Sequence, residues 1–263
     1  MIPKVIHYCW FGGKSKSRLI RECIKSWYGH LPEYEIIEWN ERNSDLSHPF
    51  VKAAYNLKKW AFVSDYIRLK VLYDSGGIYL DTDMMVIQTF DSLLENKCFF
   101  GAEDLNFISC GIIGAEKKND FIINCLIQYE TISINRDSNW DLITMPFLIT
   151  KAFREHFNFK KGFDKKVKFE DIVIYQTEWF YPLPNKMKND FLNYKNYITS
   201  NTLAVHLWNA SWVEYDEFYY IKNKLFLKAI IKILKKIFFQ IRFDKLYLKK
   251  VLKAFYNAMN TNF

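Results

Sequence analysis

The sequence predicts an α/β domain built on a mixed sheet, and three observations carry that prediction. Short apolar runs rich in Val, Ile and aromatics alternate with segments of helical periodicity along the first 210 or so residues. Glycine pairs, Gly12-Gly13 and Gly76-Gly77, punctuate two of the transitions between them. Half of the 263 residues are hydrophobic and a quarter charged, a balance that supports one large core and excludes a disordered chain or a multispan membrane protein.

In chain order, Ile2–Trp10 reads as a buried first strand that breaks at Gly12-Gly13. Leu19, Ile20, Cys23, Ile24 and Trp27 recur at helical spacing, so Ser17–Tyr28 is a helix. Tyr34–Trp39 is a second strand. Phe50–Leu57 and Trp60–Asp74 are helices, the latter closed by Ser75-Gly76-Gly77, where glycine permits a left-handed cap. Ile78–Ile87 is a strand interrupted by two carboxylates. Phe99–Ala102 and Gly111–Ala115 are short strands bounded by small residues, and Phe121–Ile132 is a helix. Asp141–Phe153 is also helical, with a break or a loop at Pro146. Val167–Tyr175 and Thr202–Trp208 complete the strands. No internal repeat or low-complexity linker occurs. The one shift in composition, near residue 215, divides a domain over 1–215 from a basic helical tail over 216–263.

Five scattered cysteines with no C-x-x-C pair argue for reduced thiols in cytosol rather than a disulfide framework or a zinc site. No apolar stretch reaches the roughly 20 residues needed to span a bilayer. The opening segment lacks a charged region followed by an apolar one, so no signal peptide is expected. The net charge of +8 is concentrated in the tail: residues 221–263 hold ten Lys, one Arg and a single Asp. The body is therefore close to neutral, which speaks against nucleic-acid binding.

The most informative segment is Gly76-Gly77-Ile78-Tyr79-Leu80-Asp81-Thr82-Asp83. On a continuous strand Tyr79, Asp81 and Asp83 share one face. Adjacent carboxylates repel unless a cation or solvent lies between them, and a hard divalent ion with oxygen ligands suits such a pair. An acidic strand end facing water is the plain alternative. The context narrows the choice. Ala61-Phe62-Val63-Ser64-Asp65-Tyr66-Ile67-Arg68, Leu72-Tyr73 and the segment through Asp83 closely resemble the DXD sugar-binding region of glycosyltransferase family 32. A similar stretch occurs in the large clostridial glucosylating toxins. The opening Ile2–Gly13 is similar to that family's first strand, and His206-Leu207-Trp208-Asn209-Ala210-Ser211-Trp212 to its C-terminal signature. The anchors occur in the family's order.

The resemblance implies a GT-A fold, a nucleotide-diphosphate-sugar donor, Mn²⁺ or Mg²⁺, and retention of anomeric configuration. It implies that Asp81 and Asp83 hold the metal, with His206 a candidate third ligand. Asp65 and Arg68 would reach the donor sugar and diphosphate from one face of the preceding helix. Tyr79 would line the donor pocket, Trp10 would stack on the base, and Ser211 and Trp212 would close over the diphosphate. A surface ion pair, a core tyrosine, a core tryptophan and a structural histidine are the corresponding plain readings. The expected reaction moves a hexose, galactose or glucose on UDP in preference to mannose on GDP, to a saccharide acceptor in surface-glycan synthesis. Two departures from the family pattern, around Ser109–Ala115 and at Thr144-Met145-Pro146, fall where donor sugar and acceptor choice are expected to be set. Asn139 and Asp141 are weaker acceptor contacts.

Two other functions compete. A haloacid-dehalogenase-type phosphohydrolase also uses a strand-end D-x-D, but usually has Thr or Val where Met85 stands and carries its motif near the chain start. A non-catalytic membrane-associated sugar-nucleotide-binding or scaffold protein would explain the tail but not the Asp65-to-Asp83 constellation. In the tail, Lys228, Lys232, Lys235 and Lys236 interleave with Ile230, Ile231, Ile233, Leu234, Ile237 and Phe238, and Lys249, Lys250 and Lys253 with Leu246, Val251 and Leu252. Amphipathic helices of this kind suit an anionic membrane surface through residues 221–255, or else pack on the domain with a solvated lysine face. A lipid-linked acceptor and a peripheral position on the inner face of the cell membrane follow from the first reading.

Overall fold

The structure, a computed structural model, describes residues 1–135, 138–209, 217–222, 224–239 and 245–260. It comprises two compact units, Met1–Asn209 and Ala210–Phe263. The first contains β1 (Val5–Cys9), α1 (Arg18–His30), β2 (Glu35–Trp39), α2 (Pro49–Asn56), α3 (Trp60–Ser75), β3 (Gly77–Leu80) and β4 (Met84–Val86). There follow β5 (Cys98–Ala102), β6 (Ile108–Ala115), α4 (Asp120–Ile127), α5 (Met145–His156), β7 (Val167–Phe169), β8 (Ile172–Tyr175), α6 (Thr177–Phe180) and β9 (Ala204–His206). The second unit holds α7 (Glu217–Lys222), α8 (Phe226–Phe239) and α9 (Lys245–Asn260). Among the described residues no helix is long and apolar enough to cross a membrane.

Seven strands form one mixed sheet in the order β2-β1-β3-β6-β5-β8-β7. The pairs β2/β1, β1/β3 and β5/β8 are parallel; β3/β6, β6/β5 and β8/β7 are antiparallel. Helices cover both faces, as a sheet with parallel pairs requires. The period-2 alternation of β3 sends Tyr79 into a core shared with α2–α5, and Ile78 and Leu80 into the opposite core with Trp27 of α1 and Phe90.

Local chemistry sets the helix ends. Ser17 Oγ accepts from the Ile20 N–H at 3.3 Å and caps α1. Gly76 closes α3 at φ +70°, where an added Cβ would lie 2.7 Å from the Lys117 backbone nitrogen. Pro146 lies in the first turn of α5, where its missing N–H costs nothing; a short 3₁₀ segment, Trp140–Ile143, precedes it.

Three expectations are corrected. Ile78–Ile87 is not one strand: the β3–β6 ladder ends as the Asp81 N–H meets Gly111 C=O at 2.7 Å, and a turn closed by the Met84 N–H on Asp81 C=O follows. β4 then joins β9 in a separate two-stranded sheet. The two carboxylates therefore come from a turn between sheets, not from one pleated face. Val167–Tyr175 is a hairpin, β7 and β8, with Glu170 at φ +48°. α4 stops at Ile127, short of Ile132.

Candidate functional site

The site lies beyond the carboxyl ends of β1 and β3, the parallel pair on which Ile6 faces Ile78 and His7 faces Tyr79. That is where α/β sheets bind ligands, because the strand-to-loop exits open there. Asp81 follows β3 directly. His206 ends β9, and the antiparallel register sets it opposite Met84. The Leu207 N–H donates to Asp83 C=O at 3.0 Å, locking the two segments together. As a result, ligating atoms of Asp81, Asp83 and His206 lie within 4.8 Å of one another.

Each carboxylate has distinct support. His206 Nε2 lies 3.1 Å from Asp83 Oδ1 and 4.0 Å from Asp81 Oδ2. The Asn209 N–H donates to Asp83 Oδ2 at 2.7 Å. Burial pushes the Asp83 carboxyl up, but His206 and that N–H outweigh it and hold it below the usual range. Burial likewise pulls the His206 imidazole down, and Asp83 and Asp81 reverse this, leaving it raised. Asp81 Oδ1 accepts from the Tyr79 hydroxyl at 3.1 Å and pairs with Arg68 Nη1 at 3.1 Å.

Arg68 is the hub of the wall behind. Its Nη2 pairs with Asp65 Oδ1 at 3.1 Å one helical turn earlier, and its Nη1 donates to Cys110 C=O at 2.6 Å. The guanidinium carbon sits 4.3 Å from the centre of the Tyr79 ring. Both ions are almost fully buried, and burial pushes the Asp65 carboxyl up to about 7 despite Arg68. Tyr79, at 1% exposure, belongs to the core and offers only its hydroxyl to the site.

The expected residues are thus distributed as follows. Asp65, Arg68, Tyr79, Asp81, Asp83 and His206 form one connected cluster. Trp10 lies half-buried just past β1, its indole N–H donating to Lys14 C=O at 2.6 Å. The loop after it packs against Trp60 at the start of α3, whose ring a Cβ on Gly12 would meet at 2.7 Å. Ser211 and Trp212 lie outside the described residues, as does the side chain of Asp141. Trp208 sits at φ +53° with its indole N–H on Leu183 C=O at 2.7 Å, and its ring packs edge-on against His206.

Three further residues contribute, and of these only Gly111 lies in a segment, Ser109–Ala115, that the sequence already places near the donor sugar. Gly111 of β6 faces the cluster: an added Cβ would lie 3.1 Å from the Tyr181 hydroxyl and 3.2 Å from Asp81 Oδ2. Tyr181 accepts from the Ile112 N–H at 3.1 Å. Glu103, at the β5–β6 turn, is half-buried, and desolvation raises its carboxyl above the usual range. Only the run of small residues in Ser109-Cys110-Gly111 hints at this wall in the sequence.

The donor set fits a hard or borderline divalent cation: two carboxylates and one imidazole converge, and no lysine or arginine is paired with Asp83 among the described residues. His206 Nδ1 is buried without a hydrogen-bond partner among the described residues, so its Nε2 face is the one committed to the cluster.

Comparison with known proteins agrees with this geometry. Residues 17–100 match the family described as "Glycosyltransferase sugar-binding region containing DXD motif". The lactosylceramide 4-alpha-galactosyltransferase of Mus musculus is 26% identical over 159 residues, 56% of this chain and 40% of that one. Inositol phosphoceramide mannosyltransferase 3 of Schizosaccharomyces pombe is 25% identical over 139 residues, 51% of this chain and 39% of that one. The match thus spans about two fifths of each of these two relatives. A glycosyltransferase, L373, of Acanthamoeba polyphaga mimivirus is 26% identical over 230 residues, 81% of this chain and 84% of its own. Among solved structures, the PaToxG glycosyltransferase superposes with a TM-score of 0.51 at 21% identity, over 60% of this chain and 70% of that one. The fold is of the GT-A type. The D-x-D turn and the helix before it both lie within residues 17–100, the part of the chain that is similar to the DXD-containing sugar-binding region of glycosyltransferases.

Proposed function

We propose that this protein is a retaining, metal-dependent glycosyltransferase that moves a hexose, galactose or glucose, from UDP to a saccharide acceptor in surface-glycan synthesis. The observation that carries the reading is the convergence of Asp81, Asp83 and His206 in front of the buried Arg68–Asp65 pair. Asp81, Asp83 and His206 would hold Mn²⁺ or Mg²⁺. When bound, the ion supplies Lewis-acid stabilisation of charge on a leaving diphosphate.

The chain's own residues do the rest. Arg68 holds Asp81 in place and keeps a fixed positive charge behind the phosphate side of the site, in surroundings from which water is excluded. Asp65, with a carboxyl poised near neutrality, is suited to accept a hydrogen bond from a donor-sugar hydroxyl. Trp10 offers an aromatic face for the base at the same end of the sheet. Ser211 and Trp212 remain our assignment for closure over the diphosphate.

Two relatives are named for sphingolipid acceptors, which supports a lipid-linked acceptor here. We extend the proposal to residues 221–255 as the part that meets an anionic membrane surface, at the inner face of the cell membrane.

The deciding experiment is a donor screen. The protein is incubated with MnCl₂ and each common UDP- or GDP-sugar, with and without a disaccharide acceptor, and nucleotide release is followed. Release from one UDP-hexose, abolished by EDTA, is the expected result. EDTA-sensitive binding of a UDP-sugar with no release under any condition would replace the enzyme with a sugar-nucleotide-binding protein.

A further inference from the structure

The helices of the C-terminal unit pack on one another. Ala229 and Ile233 of α8, Val251 and Ala258 of α9 and Ile221 of α7 form a core of their own. Glu217, fully buried, ties α7 to α8 through Lys236 at 2.7 Å. These inner positions leave a second apolar set outside. On α8, Leu227 is 73% exposed, and Ile230, Ile231 and Leu234 are each nearly half exposed. On α9, Leu252, Tyr256 and Met259 are each about two-thirds exposed, by values of 68, 66 and 64%.

The two exposed sets are related by geometry. At roughly 100° per residue, the four α8 side chains occupy an arc of about 100° whose centre lies about 130° from Ala229 and Ile233. On α9 the exposed set is centred about 120° from Val251 and Ala258, displaced in the same rotational sense. The helices run antiparallel, because Phe226 at the start of α8 meets Phe255 late in α9, with ring centroids 5.6 Å apart. At the other end, the Lys236 ammonium sits 5.8 Å from the Tyr247 ring. Two antiparallel helices that turn inner faces to a common core, with outer sets displaced in the same sense, present those sets on the same side. Beyond the α9 set lie the exposed Lys249 and Lys253, with Lys250 further round, and no acid pairs with any of the three among the described residues.

We infer that this side of the α8–α9 hairpin is a membrane-inserting face: its seven exposed apolar side chains enter the acyl boundary of an anionic bilayer, and the flanking lysines reach the headgroups. The charge carries the choice of occupant, since residues 221–263, with ten Lys, one Arg and one Asp, would repel a second copy of themselves but are complementary to acidic lipid. The inference rests on the membrane reading above and adds that attachment is by insertion, not by lysine attraction alone. Insertion resists salt, whereas attraction between lysines and headgroups is screened within a few ångström at high ionic strength.

The test is vesicle co-sedimentation of the full chain, with far-UV circular dichroism as the folding check. Vesicles are phosphatidylcholine alone or with phosphatidylglycerol, at low salt and in about 0.5 M NaCl. The variants are Leu227→Gln/Ile230→Gln/Ile231→Gln/Leu234→Gln, with glutamine chosen to keep the helix, and Lys249→Gln/Lys250→Gln/Lys253→Gln. The wild type is expected to bind the acidic vesicles and keep most of that binding in high salt. The apolar variant should lose at least about a hundredfold in partitioning, or ~2.8 kcal/mol. The lysine variant should lose less and keep its salt resistance. Equal binding by the apolar variant and wild type would overturn insertion while leaving a membrane role. No binding of wild type to either vesicle would overturn both, as would a salt-stable dimer dispersed by the apolar variant. The donor screen is read separately from all of these outcomes.

Discussion

Replacing Asp83 by Asn separates the metal site from the fold. Asp83 accepts from the Asn209 N–H at 2.7 Å and faces His206 Nε2 at 3.1 Å. Asparagine keeps an oxygen for the Asn209 N–H and removes a buried charge that burial itself disfavours. The loss of the ion pair is therefore largely offset, and the metal-free melting temperature should change by no more than about 2 °C, equivalent to under ~1 kcal/mol for a chain of this size. Metal linkage behaves differently. An ion bound at a hundred times its dissociation constant stabilises the folded state by about 2.7 kcal/mol. At roughly 2–4 °C per kcal/mol, wild type should gain about 5–10 °C on adding millimolar MnCl₂. Asp83→Asn, with one of three ligands neutralised, should gain less than about 2 °C. Differential scanning fluorimetry of the full chain with MnCl₂, MgCl₂ or EDTA reads both quantities in one plate. A full upshift in the variant would refute Asp83 as a ligand. A metal-free loss beyond about 3 kcal/mol would refute the argument that its charge is dispensable to the fold.

Three further outcomes follow from the same contacts. Because His206 is raised by Asp83 and must lose its proton to ligate, the MnCl₂ upshift should grow from pH 6 to pH 8, by up to about 1.4 kcal/mol per pH unit below its pKa. The metal-free pair has the opposite sign on its alkaline side: its stabilisation is complete below the usual His value of about 6.5 and lost as pH rises through the raised one. On the acid side it is lost as pH falls through the lowered value of Asp83. An upshift flat across that range would exclude His206 as a ligand. Gly111→Ala should leave stability within about 1 kcal/mol yet weaken metal binding about tenfold, because the new methyl crowds Asp81 Oδ2 by a few tenths of an ångström; unchanged metal titration would show that this close approach is immaterial. Arg68→Ala should cost about 3–5 kcal/mol at pH 8, with a smaller loss at pH 6, where Asp65 takes up a proton and the stranded charge disappears; equal losses in urea melts at both pH values would contradict the Asp65 assignment.

What the sequence made legible, and what it did not, divides by range of interaction. α1 was readable from its apolar spacing and the Ser17 cap, and α3 from the Gly76 stop, because these signals are local. So was the Asp65–Arg68 pair, which helical spacing alone brings together. The break after Leu80 was not, since Ile78–Ile87 is continuously strand-like in composition. What ends β3 is Gly111 C=O taking the Asp81 N–H, and what claims β4 is β9, roughly 120 residues later. Tyr79 was placeable on the right strand but not at the right depth; the guanidinium over its ring puts it in the core. In the tail, the spacing gave helices but not the partition of their apolar residues into inner and outer sets, which depends on α7 and on the antiparallel return of α9.

The two-stranded sheet is what turns a common tripeptide pattern into a site. D-x-D by itself fixes two carboxylates within a few residues and says nothing of a third ligand. Pairing Met84 with His206, Met85 with Val205 and Val86 with Ala204 determines which residue of the late strand stands beside Asp83. A slip of one residue would set Val205 or Leu207 there and turn His206 to the opposite face. That register is held by apolar burial: Met84, Val86, Ala204 and Val205 are all at most 1% exposed. Trp27 adds a fixed point, its indole N–H donating to Met84 C=O at 2.7 Å from α1. The position of His206 therefore depends on side chains that carry no reactive chemistry. Trp27→Phe, which keeps most of the volume but deletes the donor, should leave a buried carbonyl unsatisfied, at a cost of about 1–3 kcal/mol. If the register sets the site, the MnCl₂ upshift should fall along with that stability; an unaltered upshift in a destabilised Trp27→Phe protein would show that the Asp81–Asp83 turn positions His206 without the small sheet.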